Sequence, residues 1–243
     1  MTIQSVTVGA LLALFLGAAG GSEAASIEVN IGPGGGGGFL FEQEVKSLHE
    51  IQRRNIVMQE RDYSCGAAAL ATLFNYYLQD PVQENEIIRT LLKINEEKGT
   101  LEKVIARKGF SLLDLKQFAD NRKFKALGYR LNFDDLVKLG VPAIVPIIPN
   151  GYKHFVVFRG AENGRVFLAD PSIGNVTETI EQFKNDWFGF TNVALVILPP
   201  GENNLKEHPL SISEMDQVFV EQEDVESILD RAEPFFRLAP GEF

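Results

Sequence analysis

Residues 59–70 read QERDYSCGAAAL, and this stretch contains Cys65, the single cysteine of the 243-residue chain. Ser64 precedes it and an Ala- and Leu-rich segment follows as far as Leu78, so the pattern predicts a buried helix that begins at the cysteine. The first turn of a helix presents unpaired N–H groups and the positive end of the helix dipole, which favour a thiolate over a thiol. Cys65 is therefore a candidate nucleophile, and a small buried hydrophobic residue is the alternative interpretation.

The composition excludes several classes of function. A formal net charge of −10 argues against a nucleic-acid-binding protein, because such a protein needs clustered Lys and Arg to neutralise phosphates. A single cysteine rules out an internal disulfide framework and a multi-cysteine zinc site, and the three histidines lie far apart in the sequence. We therefore expect neither a metal site nor another cofactor.

The N-terminal segment has the pattern of an export signal. Residues 6–19 form an uncharged apolar run of 14 residues, which is too short for a membrane-spanning helix and is followed by small residues. We predict a signal peptide over residues 1–25 and a flexible Gly-rich linker over residues 26–38. No Lys or Arg precedes the apolar run, so an apolar helix retained in the mature protein is the alternative.

Charge divides the rest of the chain into a body and a tail. Residues 39–201 carry equal numbers of acidic and basic residues, whereas residues 202–243 carry eleven acidic and three basic residues. Apolar residues at helical spacing within the tail predict an acidic helical extension. Such a tail is more often a solvated surface than a docking segment.

Within the body, helical patterns precede strand patterns. Ser111 with Asp114 predicts a capping box that opens a helix ending near Asn121, and Asn132 predicts another helix start. Asn163-Gly164 is typical of a tight hairpin turn. Helices followed by strands predict an α+β domain with an antiparallel sheet. The extended or strand candidates are residues 55–60, 141–148, 155–159, 165–169 and 192–198.

Three further side chains could serve a reactive thiolate. His154 precedes an apolar strand, where a general base could be presented, although a structural histidine is the alternative. Asp170 ends the next strand, and two strands joined by a hairpin can bring it beside His154 to fix the imidazole tautomer. Gln59 could direct its amide N–H at a developing oxyanion together with the backbone N–H of Cys65.

These motifs resemble those of the C39 peptidases, papain-like cysteine peptidases that cleave leader peptides after a Gly-Gly pair. Residues 59–70 match the Q-x5-CG-x-A-x-L nucleophile motif of that family, and His154 with Asp170-Pro171 matches its second motif. The resemblance covers roughly residues 50–200 and implies a papain-like α+β fold for a peptidase domain over residues 39–201. It implies that Cys65 is the nucleophile, His154 the general base and acid, Asp170 the orienting carboxylate and Gln59 the oxyanion donor.

The chain departs from the family pattern in three ways. Ser64 replaces the acidic residue often found before the nucleophile, Ala69 stands where many members have a second cysteine, and no transmembrane segment or P-loop follows the domain. The resemblance therefore implies a stand-alone periplasmic member, similar to the peptidase that accompanies some functional-amyloid export systems.

The partners implied are a peptide or protein substrate, such as a Gly-Gly leader, and a secretion or fibre-assembly system. Neither nucleic acid nor a membrane span after signal cleavage is expected. Two alternatives stay open. One is a C39-like module that binds a leader or an export partner without cleaving it. The other is acyl transfer or amide hydrolysis by the same triad on a substrate other than a leader.

Overall fold

The computed structural model describes residues 48–188, 192–199, 208–212 and 233–234. The predicted signal peptide and the Gly-rich linker lie outside the described residues, as does most of the predicted acidic extension. Within the described ranges, no helix is both long enough and apolar enough to cross a bilayer.

The described part of the chain begins with five helices, and its strands follow them. The helices are α1 (Leu48–Gln52), α2 (Cys65–Tyr76), α3 (Glu84–Glu97), α4 (Leu101–Arg107), α5 (Leu112–Asn121), α6 (Phe133–Lys138) and α7 (Ile180–Phe188). The strands are β1 (Lys125–Arg130), β2 (Ala143–Ile147), β3 (His154–Glu162), β4 (Arg165–Asp170), β5 (Gly174–Thr179), β6 (Val193–Leu198) and β7 (Glu233–Pro234).

Local capping signals determine where two of these helices, α5 and α6, begin. The Ser111 hydroxyl accepts from the backbone N–H of Asp114 at 3.2 Å, and the Asp114 carboxylate accepts from the backbone N–H of Ser111 at 2.7 Å. The Asn132 side chain likewise accepts from the backbone N–H of Asp135 at 2.8 Å. Both predicted helix starts are confirmed, because each side chain satisfies an N–H group that the helix itself leaves unpaired.

The strands form one antiparallel sheet in the order β5-β4-β3-β2-β6-β1-β7. Asn163 and Gly164 connect β3 to β4 with φ angles of 48° and 77°, so both turn residues lie in the left-handed region. That geometry is the tight hairpin expected for Asn-Gly. The α+β class and the antiparallel sheet are confirmed.

Three details of the predicted organisation are wrong. β1 lies between α5 and α6 and pairs with β6, so the helices do not all precede the strands. β5 and α7 carry no element in the sequence prediction, although both are formed. Residues 56–59 belong to no strand; Gln59 is instead tied by its backbone N–H to the carbonyl of Pro171 at 2.8 Å.

The core lies between α2 and the sheet. α2 packs against β3 and α3, and its residues from Ala67 to Leu70 are fully buried. The short side chains of this segment let the helix axis approach the sheet closely, which places the N-terminus of α2 beside the start of β3. Trp187 of α7 also belongs to the core. It is fully buried, stacks on Phe183 and donates from its indole N–H to the carbonyl of Val193 at 2.9 Å.

Residues 208–212, here called the C-terminal strap, pack on the body of the protein. Leu210 is fully buried, and Arg159 of β3 donates to the carbonyls of Leu210 at 2.9 Å and Ser211 at 3.2 Å. A part of the segment predicted as an acidic extension therefore contributes to the core.

Candidate active site

Cys65 is the first residue of α2, and it is 9% exposed. A tight turn leads into it: the Ser64 hydroxyl donates to the carbonyl of Arg61 at 2.8 Å and accepts from the backbone N–H of Arg61 at 3.2 Å. Ser64 is completely buried and makes no side-chain cap on α2. The Ser64 hydroxyl thus stabilises the turn that places Cys65 at the N-terminus of α2.

The loop before the nucleophile is anchored on the N-terminus of α3. The backbone N–H of Glu60 donates to the Glu84 carboxylate at 3.2 Å, and the Arg61 guanidinium donates to Asn85 Oδ1 at 2.7 Å. The Glu60 carboxylate in turn accepts from the Asn85 amide at 2.9 Å. These bonds hold the loop against the helical layer while α2 holds the cysteine.

His154 and Asp170 meet because of the hairpin that joins β3 to β4. His154 is the first residue of β3 and Asp170 the last residue of β4, and both residues are 6% exposed. The distance between His154 Nε2 and Asp170 Oδ1 is 2.8 Å. A carboxylate at this position holds Nε2 as the protonated nitrogen, which leaves Nδ1 for the reaction.

The environment of His154 favours the charged imidazolium. Burial is the largest single effect and opposes the charge, but the hydrogen bond that the ring donates to Asp170 and the interaction with Cys65 together raise the pKa of His154 to about 9. Burial likewise opposes ionisation of Asp170, yet the bonds from His154 and Ser172 lower the pKa of that carboxyl below its usual value. The pair is therefore an ion pair at neutral pH.

The ring nitrogen of His154 that does not face Asp170 is free to bond to another group. Nδ1 is buried and has no hydrogen-bond partner among the described residues. His154 and Cys65 line the same cleft, which has a volume of about 390 Å³. A buried ring nitrogen without a partner, in the wall of a cleft that also holds a thiol, is arranged to exchange a proton with that thiol or with a bound molecule.

The cleft runs between the loop before Cys65, the α4–α5 connection and the start of β3. Tyr152 is 58% exposed, and its hydroxyl donates across the cleft to the carbonyl of Asp62 at 3.1 Å. Its ring lies 6.2 Å from the ring of His154. The other lining residues are Tyr63, Gly66, residues 106–111, Pro146, Lys153 and Phe155.

Gln59 lies in the loop before Cys65, and its backbone N–H donates to the carbonyl of Pro171, the residue after Asp170. The Gln59 Nε2 group donates to the carbonyl of Arg61 at 3.1 Å, while its Oε1 atom is buried without a hydrogen-bond partner among the described residues. No hydrogen bond joins this side chain to Cys65 in the described part of the chain. The bond to Arg61 uses one N–H of the amide, and the amide nitrogen carries a second N–H that can donate to another acceptor.

Two residues of the site were missed at the sequence level. Ser172 donates from both its backbone N–H and its hydroxyl to Asp170, and Tyr152 spans the cleft as described above. The Asp-Pro-Ser order is typical of a turn in which side chains bond to nearby backbone groups, and that signal could have drawn attention to Ser172. Among the described residues, no cluster of three or more His, Cys, Asp or Glu side chains could hold a metal ion.

Comparison with known proteins shows the family to which this chain is related. The model of the peptidase C39 family matches residues 53–200. The probable functional amyloid protease FapD of Pseudomonas fluorescens is 34% identical over 186 residues, which cover 76% of this chain and 79% of that protein. The protein of the same name from Pseudomonas aeruginosa is 34% identical over 154 residues, covering 63% of this chain and 66% of that protein.

Among solved structures, a double glycine motif protease from an AMS/PCAT transporter, in complex with its leader peptide, is 26% identical. It covers 61% of this chain and 95% of its own, with a TM-score of 0.48. The family match includes Cys65, His154 and Asp170 and spans more than half of the sequence. This chain therefore belongs to the peptidase C39 family and is a cysteine peptidase.

Proposed function

We propose that this protein is an exported peptidase that hydrolyses a peptide bond after Gly-Gly in a leader or secreted substrate, with Cys65, His154 and Asp170 as its catalytic triad. The observation that carries the proposal is the state of His154. Its Nε2 is bonded to Asp170, and its buried, unpartnered Nδ1 shares the cleft with the Cys65 thiol.

In the acylation step, the Cys65 thiolate attacks the carbonyl carbon of the scissile bond. The charge that develops on the carbonyl oxygen is stabilised by the backbone N–H of Cys65 and by the Gln59 amide. When the C–N bond breaks, the proton on His154 Nδ1 passes to the leaving amine. The products of this step are a thioester on Cys65, a free amine and a neutral imidazole.

In the deacylation step, water attacks the thioester. His154 Nδ1 accepts one proton from that water, and the C–S bond breaks to release the Cys65 thiolate and the carboxylic acid product, which then ionises in the solvent. Asp170 stays ionised and keeps Nε2 protonated throughout, so the reacting nitrogen is Nδ1 in both steps. Hydrolysis at a thiol needs no cofactor.

The shape of the cleft supports small residues before the scissile bond. Gly66 lies in the lining, and a Cβ atom at that position would approach Phe155 Cδ2 at 3.2 Å and Leu115 Cδ1 at 3.3 Å, so the floor is already closely packed. Tyr152 crosses one side of the cleft. A substrate residue without a side chain passes such a constriction with the least steric conflict.

Export to the periplasm and a role beside a secretion or fibre-assembly system belong to the same proposal. They rest on the signal-like residues 1–25 and on the similarity to functional amyloid proteases. Intact-mass measurement of the protein from a cell envelope tests the export step. A chain that begins near Ala25 or Ser26 supports it, and a retained Met1 contradicts it.

The test of the reaction uses purified protein and peptides that differ at two positions only. Peptides with Gly-Gly before the expected bond are compared with Val-Val versions of the same sequence, for wild type and Cys65→Ala, and the cuts are located by mass spectrometry. We expect wild type to cut the Gly-Gly peptides alone and Cys65→Ala to cut neither. Cleavage by Cys65→Ala contradicts the triad, and binding of Gly-Gly peptides without cleavage by wild type identifies a non-cleaving module.

A further inference from the structure

A single oxygen of Asp170 receives three hydrogen bonds. Asp170 Oδ1 lies 2.8 Å from His154 Nε2, 2.7 Å from the backbone nitrogen of Ser172 and 2.6 Å from the Ser172 hydroxyl oxygen. The hydroxyl oxygen is also 3.4 Å from His154 Nε2. Three donors share the charge of one carboxylate oxygen, so each donor weakens the attraction of that oxygen for the others.

The backbone keeps Ser172 in this position independently of its side chain. The carbonyl of the preceding Pro171 accepts from the backbone N–H of Gln59 at 2.8 Å, and Asp170 pairs with Gly174 in the β4–β5 ladder. The turn over residues 170–174 is thus fixed at both ends. Removal of the Ser172 hydroxyl would leave the backbone N–H of Ser172 and the His154 ring still bonded to Asp170.

We propose that Ser172 is a positioning residue whose hydroxyl moderates the hydrogen bond between Asp170 and His154, and so tunes the acidity of the imidazolium that protonates the leaving amine. This inference rests on the proposed function, because it concerns the same proton transfer. Ser172 acts through Asp170 and does not itself contact the reacting atoms.

The charged groups around the His154 ring determine how the Ser172 hydroxyl can affect the proton affinity of the imidazole. Cys65 faces His154 from α2, Asp170 faces it from β4, and Lys153 precedes it on the cleft wall. Glu178 of β5 interacts with Asp170 and not with the ring. Without the Ser172 hydroxyl, the charge of Asp170 Oδ1 is less shared, its bond to Nε2 strengthens, and the imidazolium holds its proton to higher pH.

The direct test is a pH titration of His154 in the full chain, in which nitrogen and proton NMR signals of the imidazole report the protonation state. The signals of His154 are assigned by their loss in His154→Gln. We expect Ser172→Ala to titrate at higher pH than wild type and Ser172→Thr, which keeps a hydroxyl, to titrate with wild type. In an Asp170→Asn background we expect Ser172→Ala to change nothing further, because the hydroxyl acts through the carboxylate.

The inference is overturned if Ser172→Ala titrates with wild type or at lower pH, or if it shifts the titration equally in the Asp170→Asn background. The kinetic counterpart is a lower kcat for Ser172→Ala with KM unchanged, since a weaker acid protonates the leaving amine more slowly. An unchanged kcat in a variant whose titration has shifted contradicts the link to catalysis. The NMR titration needs no substrate, so a failure of the proposed cleavage reaction leaves this test intact.

Discussion

His154 determines the charge state of the site, because one ring nitrogen is bonded to a carboxylate and the other opens on the cleft that holds the thiol. Its pKa of about 9 means that the ring is an imidazolium at neutral pH and loses its proton as the pH rises through that value. In the proposed mechanism, the imidazolium is the acid that protonates the leaving amine. We therefore expect kcat/KM for peptide cleavage to fall above about pH 9.

The control for this pH profile is Asp170→Asn. The amide removes the negative charge that stabilises the imidazolium, so the basic limb of the profile should move to lower pH. The loss of turnover should be smaller than in His154→Ala, because the asparagine can still hold the ring through a hydrogen bond. A basic limb at the same pH in both proteins would show that the limb belongs to another group.

Gln59 is the predicted side-chain donor to the oxyanion. Its Nε2 donates to the carbonyl of Arg61, and this hydrogen bond joins two neutral groups near the surface. A hydrogen bond from the same amide to a negatively charged oxyanion is stronger. We expect Gln59→Ala to reduce kcat about 10²- to 10³-fold with little change in KM, as when an oxyanion donor is lost. Single-turnover measurement of acylation is the readout.

A matched variant separates this role from a packing role. Gln59→Glu keeps the size of the side chain and removes the N–H donor, so it should lose as much turnover as Gln59→Ala. The backbone bond from Gln59 to Pro171 is present in both variants. If Gln59→Glu retains the wild-type rate of acylation, the amide is not the oxyanion donor.

At the scale of elements, the sequence predicted correctly the helix starts and the turn that depend on interactions between neighbouring residues. The capping residues Ser111 and Asn132 and the Asn163-Gly164 turn act within four residues, and all three gave the structure expected of them. β1 was missed because its pattern, KALGYR, alternates poorly, and it is a strand through its pairing with β6, more than sixty residues later. Tertiary pairing of this kind leaves little trace in a short window of sequence.

The same distinction applies to the candidate site. The positions of Cys65, His154 and Asp170 follow from a helix start and two strand ends, which sequence patterns can locate. The direction of the Gln59 amide depends on side-chain torsions, and the bonds of Ser172 depend on the turn after β4. Neither is encoded in residue spacing, so both required the structure.

The turn that carries Ser172 also gives an element-scale prediction. Gly174 has φ of +101°, and a Cβ atom there would lie 2.6 Å from the carbonyl oxygen of Gln52. We expect Gly174→Ala to lower the free energy of unfolding by about 1–2 kcal/mol for the backbone conformation and by about 1–3 kcal/mol more for the steric conflict. Urea denaturation of the variant measures the sum.

Gly164→Ala provides the control, because Gly164 has φ of +77° and no atom within 4 Å of the added Cβ. This variant should show only the backbone contribution. Equal losses of stability in the two variants would mean that Gln52 moves aside freely. Gly174→Ala should also reduce peptidase activity, since it displaces the turn that holds Asp170.

At the scale of the whole molecule, the C-terminal strap links segments that are distant in sequence. Arg159 of β3 donates to the strap and to Asn175 of β5 at 2.9 Å, and Asn175 donates to the carbonyls of Gln52 and Arg54. The ring of His208 packs on Tyr77, and burial, with the charge of Arg159, lowers the pKa of His208 to about 4. A neutral histidine at physiological pH suits that apolar contact.

We therefore expect the strap to stabilise the fold without contributing to the chemistry. Leu210 is fully buried but does not line the cleft, so Leu210→Ala in the full chain should lower the free energy of unfolding by about 2–5 kcal/mol and leave kcat and KM for a cleaved peptide at their wild-type values. Ile105→Ala is the matched control, because Ile105 is 67% exposed and its truncation should change stability by less than about 0.5 kcal/mol. Thermal denaturation and peptide kinetics on the same preparations separate the two effects. A loss of kcat in Leu210→Ala at a temperature where the variant is still folded would show that the strap acts on the catalytic groups, and unchanged stability would show that Leu210 does not belong to the core.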